Sequence, residues 1–439
     1  MRLRLETFYD EQVLSWSKLL LSILGLWPES HDNLKFFFFA TYIICVTALL
    51  IVNLLQNMHD AERIMRNITF SFPSVLIVLK NLMFRWKMNQ LSSVLEAVRK
   101  NVGEGLYQSP AEKCKVIWYN VASTLFATSS ATSLFFVPTL YYTIPILSCI
   151  LSSSGNCTLP YELPARVNLV YEISEMRSYA LFCAILMPSS TLLTIGATAA
   201  DSLLVSLTFY LCGQLSILGH HVKNTDPRSL KYHYEMKVLM VRHAELLRLA
   251  SILADTFSSL MFVQTMGLIF SLCIVAYQLL MNVESGKGLN EIIHFMIYSA
   301  AVVLLAFCYC FLGECLISES VALDWACYST NWHELPIESV RLLMICIARS
   351  RKPLCLTAGK FYIFSLETFG TVNLTILYGM ILRQDSHGYF TRAFYISHSL
   401  DRKSIGMAED TTHFFFTDHE GVHGVSVGVE NHYIDQRTE

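Results

Sequence analysis

Three carboxylates, Asp201, Glu314 and Glu367, stand in or at the edges of long apolar runs. A charge held in hydrocarbon is costly unless it is paired or conducts an ion, so each is a candidate for function. Asp201 and Glu314 fall at the ends of their runs, where pairing with a Lys or Arg of the adjoining loop is the simpler role and an ion relay the sharper one. Glu367 falls deeper and suits either a charge linked to permeation or a packed structural carboxylate. The neighbours His220 and His221 would seed a metal site only with further ligands. Adjacent residues point to different helix faces and no cysteine or carboxylate is spaced to complete a shell, so they read as a solvated loop pair. HExxH, GxxxxGK[ST] and a Gly-rich dinucleotide turn are all absent from the sequence, and the reading is of a protein that is not an enzyme and holds no metal or cofactor.

Aromatic residues supply a second kind of chemistry. Phe70, Phe72, Phe135, Phe136, Tyr141, Tyr142, Tyr179, Phe182, Phe295 and Tyr298 crowd the same ends of four apolar runs. Taken singly, each is as well suited to lipid contact, packing or interfacial anchoring. Taken together, they suit an apolar pocket that selects a small hydrophobic ligand by shape and dispersion. Ser123, Ala127 and Ala131, and Gly196 with Ala200, are small residues four apart and mark close helix contacts.

These residues need long apolar helices to position them. Of the 439 residues, 53% are hydrophobic and 15% charged, a balance that fits a lipid-embedded chain. The net charge of -3 gives no concentrated cationic surface for a nucleic acid. Thirteen cysteines are scattered singly and read mostly as reduced, buried thiols. About 20 apolar residues cross a layer of about 30 Å, and seven such stretches occur: Phe36 to Leu55, Asn67 to Phe84, Val116 to Val137, Tyr179 to Ala200, Phe257 to Leu280, Ile292 to Leu312 and Phe361 to Leu382. The second contains Pro73 and Lys80 and the seventh Glu367, polar groups expected to face inward or the membrane boundary. Residues 1–35 read as an amphipathic segment lying at the membrane surface or dipping into it, since acidic residues precede Leu14 and no cleavage site follows Trp27.

Orientation follows from basic residues, which are retained on the cytoplasmic side. Alternate connecting segments hold 21 Lys and Arg against five, which places the amino terminus inside and, after seven crossings, the carboxyl terminus outside. Asn156-Cys157-Thr158 is a glycosylation sequon on an outside loop, in agreement with that topology; Asn67-Ile68-Thr69 and Asn373-Leu374-Thr375 lie too near membrane spans to count. Inside, the spacing of Leu239, Met240, Leu246, Leu247, Ala250 and Leu253 predicts a helix running unbroken into span five. Span six is expected to run past Leu312 through Trp325, after which Pro336 opens a further helix that Pro353 closes. Apolar stripes on such projecting helices need a partner, each other or another subunit.

At Phe307 to Trp332 (FCYCFLGECLISESVALDWACYSTNW) and Arg341 to Phe369 (RLLMICIARSRKPLCLTAGKFYIFSLETF), and more weakly at Tyr210 to Val222 and Val241 to Ala250, the sequence resembles the insect odorant receptor family. The resemblance implies an all-α protein of seven transmembrane helices and an odorant-gated nonselective cation channel. In the family it forms a hetero-tetramer with the olfactory co-receptor in the plasma membrane of sensory neuron dendrites. It implies an odorant-tuned subunit, since the co-receptor carries a much longer loop after span four. The cytoplasmic helices would anchor subunits, at Trp325, Tyr328, Trp332 and Phe361, and the last span would line the pore, at Glu367, Thr368 and Thr371. The volatile ligand would meet Phe70, Phe72, Phe135, Phe136, Tyr142, Tyr179, Phe182, Phe295 and Tyr298. The alternatives are a gustatory-type channel of the same superfamily and a G-protein-coupled receptor; the second needs the opposite orientation and an acidic-Arg-aromatic triplet below span three. A transporter would show broken helices in matching halves, hinted at only by Pro73 and Glu367.

The organisation expected is an interfacial segment at 1–35, a seven-helix receptor-channel domain at 36–382, and an extracellular tail at 383–439 with six of the 14 histidines, irregularly spaced and disordered by composition. After Thr371 the chain leaves the family pattern. Val372-Asn373 is what an in-frame splice-donor sequence encodes, and residues from Val372 onward read as translated intron.

Overall fold

The structure, a computed structural model, describes residues 14–30, 32–56, 59, 61–102, 110–151, 176–226, 231–284 and 289–372. The sequon at Asn156 and the tail 383–439 lie outside them. Eight helices are α1 (Leu14–Ile23), α2 (Asn33–Gln56), α3 (Ala61–Val102), α4 (Pro110–Leu151), α5 (Met176–Asn224), α6 (Tyr232–Glu284), α7 (Leu289–Tyr328) and α8 (Ile337–Ser350). A two-stranded hairpin follows, β1 (Thr357–Ala358) and β2 (Tyr362–Ile363), and then a helix, α9, over 366–372. Five of the helices, α2, α3, α5, α6 and α7, contain stretches long and apolar enough to cross a membrane. Predicted span three lies within α4.

Helices of 40 to 53 residues are about twice what a bilayer needs, so each extends well beyond an apolar core. The expected continuity is observed. Residues 236–254 and span five form the single helix α6, and span six continues to Tyr328. Pro336 sits at the N-cap of α8, where its fixed φ and missing N–H cost nothing.

The central element is α5. Of its apolar stretch 72% is buried, against 22% for α7, because Ala199 to Leu218 present small and branched residues on every side. Small side chains let neighbours approach, as the spacing implied. Ser17 of α1 and Ser123 of α4 both hydrogen-bond Ser206 of α5, at 3.2 and 3.0 Å. A side chain at Gly196 would meet the Asn81 amide at 2.9 Å. The segment before α2 is part of this core. Leu20, Leu21, Leu24, Leu26 and Trp27 are buried, and α1 ends in a Schellman motif: Gly25 (φ 67°) and Leu26 donate back to the carbonyls of Ser22 and Leu21.

Two features differ from the sequence reading. His220 and His221 belong to the last turns of α5; that helix persists to Asn224, whose amide side chain meets the His220 ring. Predicted span seven does not begin at Phe361. Residues 357–363 form the hairpin, whose turn needs positive φ at Gly359 (59°) and Lys360 (66°), and the helix starts only at 366.

Candidate functional site

Lys80, half-way along α3, is the only cation in its apolar stretch Asn67 to Phe84. Its ammonium has three N–H groups and three partners: Asp201 Oδ1 of α5 at 2.6 Å, the Ala197 carbonyl of α5 at 2.9 Å and Gln264 Oε1 of α6 at 3.1 Å. The remaining Asp201 oxygen accepts the Tyr309 hydroxyl of α7 at 2.7 Å. Both charged side chains are buried, at 4% and 7% exposure. An ion pair so placed survives because every polar group is matched, which joins four helices at one point. Asp201 therefore pairs with a charge in a neighbouring span and not, as its position suggested, with a loop cation.

Tyr309 begins a face of α7 that grips the start of α9. Its ring packs against Phe364, centroids 6.2 Å apart. Next to it the Cys310 thiol lies 3.7 Å from the Tyr362 hydroxyl. One turn on, Gly313 lets the 364 backbone come so close that an added Cβ would stand 2.1 Å from the Phe364 carbonyl oxygen. Beside it Glu314 accepts the Leu366 N–H at 3.1 Å. This carboxylate was expected to meet a loop cation; it caps a helix N-terminus, where orphan N–H groups and the helix dipole favour negative charge. Ser365 and Thr368 complete the cap as a reciprocal box: each hydroxyl accepts the other's backbone N–H, at 3.2 and 3.1 Å. Glu367 lies in this first turn and not deep in a span, because the hairpin delays the helix.

The aromatic candidates separate. The Phe72 ring centroid lies 4.2 Å from that of Phe270 of α6, and the Tyr298 hydroxyl of α7 lies beside the adjacent Ser271, so α3 and α7 converge on one point of α6. Phe270 and Ser271 were missed because span five carries no aromatic cluster. Tyr142 is buried and Phe295 half-buried, whereas Phe136 is 65% exposed and Phe70 faces outward. The side chains of Phe135, Tyr179 and Phe182 are outside the described residues. Between α2 and α3 a small crevice, with room for about one water, is lined by Phe36, Phe39, Ala40, Ile43, Val78, Asn81 and Leu82.

Trp325, Tyr328, Trp332 and Phe361 form exposed apolar surface at the end of α7, the turn after it and the hairpin; Phe361 is 91% exposed. Among the described residues no cluster of three His, Cys, Asp or Glu is arranged to hold a metal.

A bundle of long apolar helices tied by a buried ion pair, with its last helix capped from a neighbour, defines a multi-span helical membrane protein. Residues 60–376 match the family model described as 7tm Odorant receptor, and the chain belongs to that family of insect odorant receptors. It is 24% identical to Odorant receptor 9a of Drosophila melanogaster over 71% of this chain and 79% of that protein. It is 26% identical to the odorant receptor coreceptor of Aedes aegypti over 40% of this chain and 37% of the coreceptor. The fold is that of the insect olfactory receptor OR5 from Machilis hrabei in complex with eugenol. The TM-score is 0.72 at 14% identity, over 87% of this chain and all of that one.

Proposed function

We propose that the chain is an odorant-tuned subunit of a ligand-gated, nonselective cation channel, assembled with the olfactory co-receptor in the dendritic membrane of a sensory neuron. The observation that carries this reading is the face Tyr309–Glu314. One surface of α7 contacts both the buried ion pair that joins α3, α5 and α6 and the first turn of α9. A ligand that changes the packing of the outer helices thus acts on the helix start to which the family resemblance assigns the pore, with Glu367, Thr368 and Thr371 along it.

The ligand is a small apolar molecule held near Phe72 and Tyr298 against Phe270 and Ser271, with Tyr142, Phe295, Phe135, Tyr179 and Phe182 as further wall. The eugenol complex of the Machilis receptor supports that chemical class. Seven crossings with the amino terminus inside put α8 and the ends of α6 and α7 in the cytosol. There Trp325, Tyr328, Trp332 and Phe361 offer the surface for co-receptor subunits; the partial match to the coreceptor lends support. Asn156 would carry glycan outside. Residues from Val372 read as translated intron, which sequencing the mature transcript across the Thr371 codon checks.

The test is co-expression with the co-receptor in cells lacking relevant G-protein coupling, with currents recorded against an odorant panel, for this chain and for one with a family-like carboxyl terminus. Odorant-evoked current independent of G protein is expected. Current only with a G protein, or epitope tags placing Met1 outside, would overturn the reading.

A further inference from the structure

At the foot of α7 the Cys327 sulfur lies 3.1 Å from that of Cys346 in α8, and neither is in a disulfide. Nδ1 of His243, in α6, is 3.4 Å from Cys346 Sγ, and the Ser350 hydroxyl is 4.0 Å from it. Cys327, Cys346 and His243 are all buried. Three helices therefore bring two nucleophiles and a base together at a place that neither the ion pair nor the α9 cap uses. Sulfurs at this separation need to approach by about 1 Å to reach bonding distance. Burial raises a thiol's pKa, as it does at Cys355. At Cys346 bonds from the Cys327 thiol, first, and from His243 outweigh burial and hold the group below the ordinary thiol range. A thiolate stabilised this way is the reactive form.

We propose that Cys327 and Cys346 are a modification site, at which a hydroperoxide converts the two thiols reversibly into an intrasubunit disulfide that ties the end of α7 to the middle of α8. The Cys346 proton passes to His243, and the thiolate attacks an oxygen of hydrogen peroxide; the S–O bond forms, the O–O bond breaks, and the departing hydroxide takes that proton back from His243 to leave as water. Cys327 then attacks the Cys346 sulfur, forming S–S and expelling the sulfenic hydroxyl, which leaves as a second water with the Cys327 proton. Two thiols lose two electrons in total and one hydroperoxide is reduced. On the cytosolic side, where the proposed topology puts it, the pair is returned to dithiol by the cellular thiol pool, so the bond is a transient mark and not a structural one.

The experiment uses the full chain in membranes. Hydrogen peroxide is titrated, the sample is denatured in excess N-ethylmaleimide, and peptides are measured by mass. The expected result is a cross-linked peptide pair joining 327 and 346, lighter by two hydrogens, appearing as both lose maleimide label together and vanishing with dithiothreitol. In Cys327→Ser, dimedone should trap a sulfenic acid at Cys346. In Cys346→Ser, Cys327 should keep its label at doses that link the unmodified chain. The exposed Cys114 serves as the internal dose marker. Full labelling of both thiols when Cys114 is half oxidised would overturn the proposal, as would over-oxidation of Cys346 with Cys327 untouched. The decisive readout is on the unmodified chain and does not depend on a variant folding.

Discussion

Replacing Asp201 by Asn keeps the side chain's size and removes its charge, leaving the Lys80 ammonium buried with only neutral acceptors, the Ala197 carbonyl and Gln264. Removing one partner of a buried pair costs about 3–5 kcal/mol, because the charge left behind has lost water and gained nothing. Lys80→Met strands the carboxylate instead, with only the Tyr309 hydroxyl to meet it, and should cost a similar amount. Replacing both, as Lys80→Met with Asp201→Leu, removes the stranded charge. It should regain at least about 2 kcal/mol over the sum of the single losses, since apolar substitutes for a whole ion pair are often neutral or better. Tyr309→Phe removes one hydrogen bond to a charged acceptor and should fall between, at about 1.5–3 kcal/mol. The assay is thermal unfolding of the detergent-solubilised receptor, followed by the fluorescence-detected monodisperse fraction, for the four variants and the parent. A double variant as unstable as the sum of the singles would refute the reasoning, as would singles that melt with the parent.

Gly313→Ala places a methyl 2.1 Å from the Phe364 oxygen and must shift the start of α9. Odorant-evoked current should fall at least about tenfold with surface abundance retained, while Gly213→Ala, whose nearest neighbour is at 3.7 Å, should leave it unchanged. Phe72→Ala and Tyr298→Phe should shift odorant dose-response curves by about 10-fold or more, the worth of one or two lost apolar or hydrogen-bonding contacts. The outward-facing Phe136→Ala should not shift them. For Cys346, flanked by Cys327 of α7 and His243 of α6, the lowered pKa means that the thiolate and its stabilisation are present above the usual thiol pKa and are lost only as pH falls through the lower folded value. Its peroxide reaction rate should therefore stay flat from pH 9 to neutrality, while that of a free thiol such as N-acetylcysteine declines; a profile parallel to the free thiol's would contradict the assigned thiolate.

Much of the helical frame was legible because it rests on local periodicity. The in-phase apolar residues from Leu239 into span five and the prolines around 337–350 are short-range signals, and α6 and α8 follow them. What was not legible is pairing at long range. Lys80 and Asp201 are 121 residues apart, and their complementarity shows in sequence only as two opposite charges stranded in separate apolar runs. The late start of α9 was hidden for another reason: strands of two residues carry no alternation to detect. Only Gly359 and the Ser365-Leu366-Glu367-Thr368 box announce that the chain turns before it coils. The convergence on Phe270 and Ser271 depends on how helices pack, which no single run of residues specifies.

Proline divides the long helices into two mechanical kinds. Pro73 lies inside α3 and Pro188 inside α5, each deleting a backbone hydrogen bond and leaving a place where the rod yields. α6 and α7 have none in 53 and 40 residues, a span of about 80 Å for the longer at 1.5 Å per residue. A tilt imposed near Ser271 or Tyr298 is thus carried whole to the far ends, where His243 and Cys327 lie, whereas the same push on α3 or α5 is partly spent in bending.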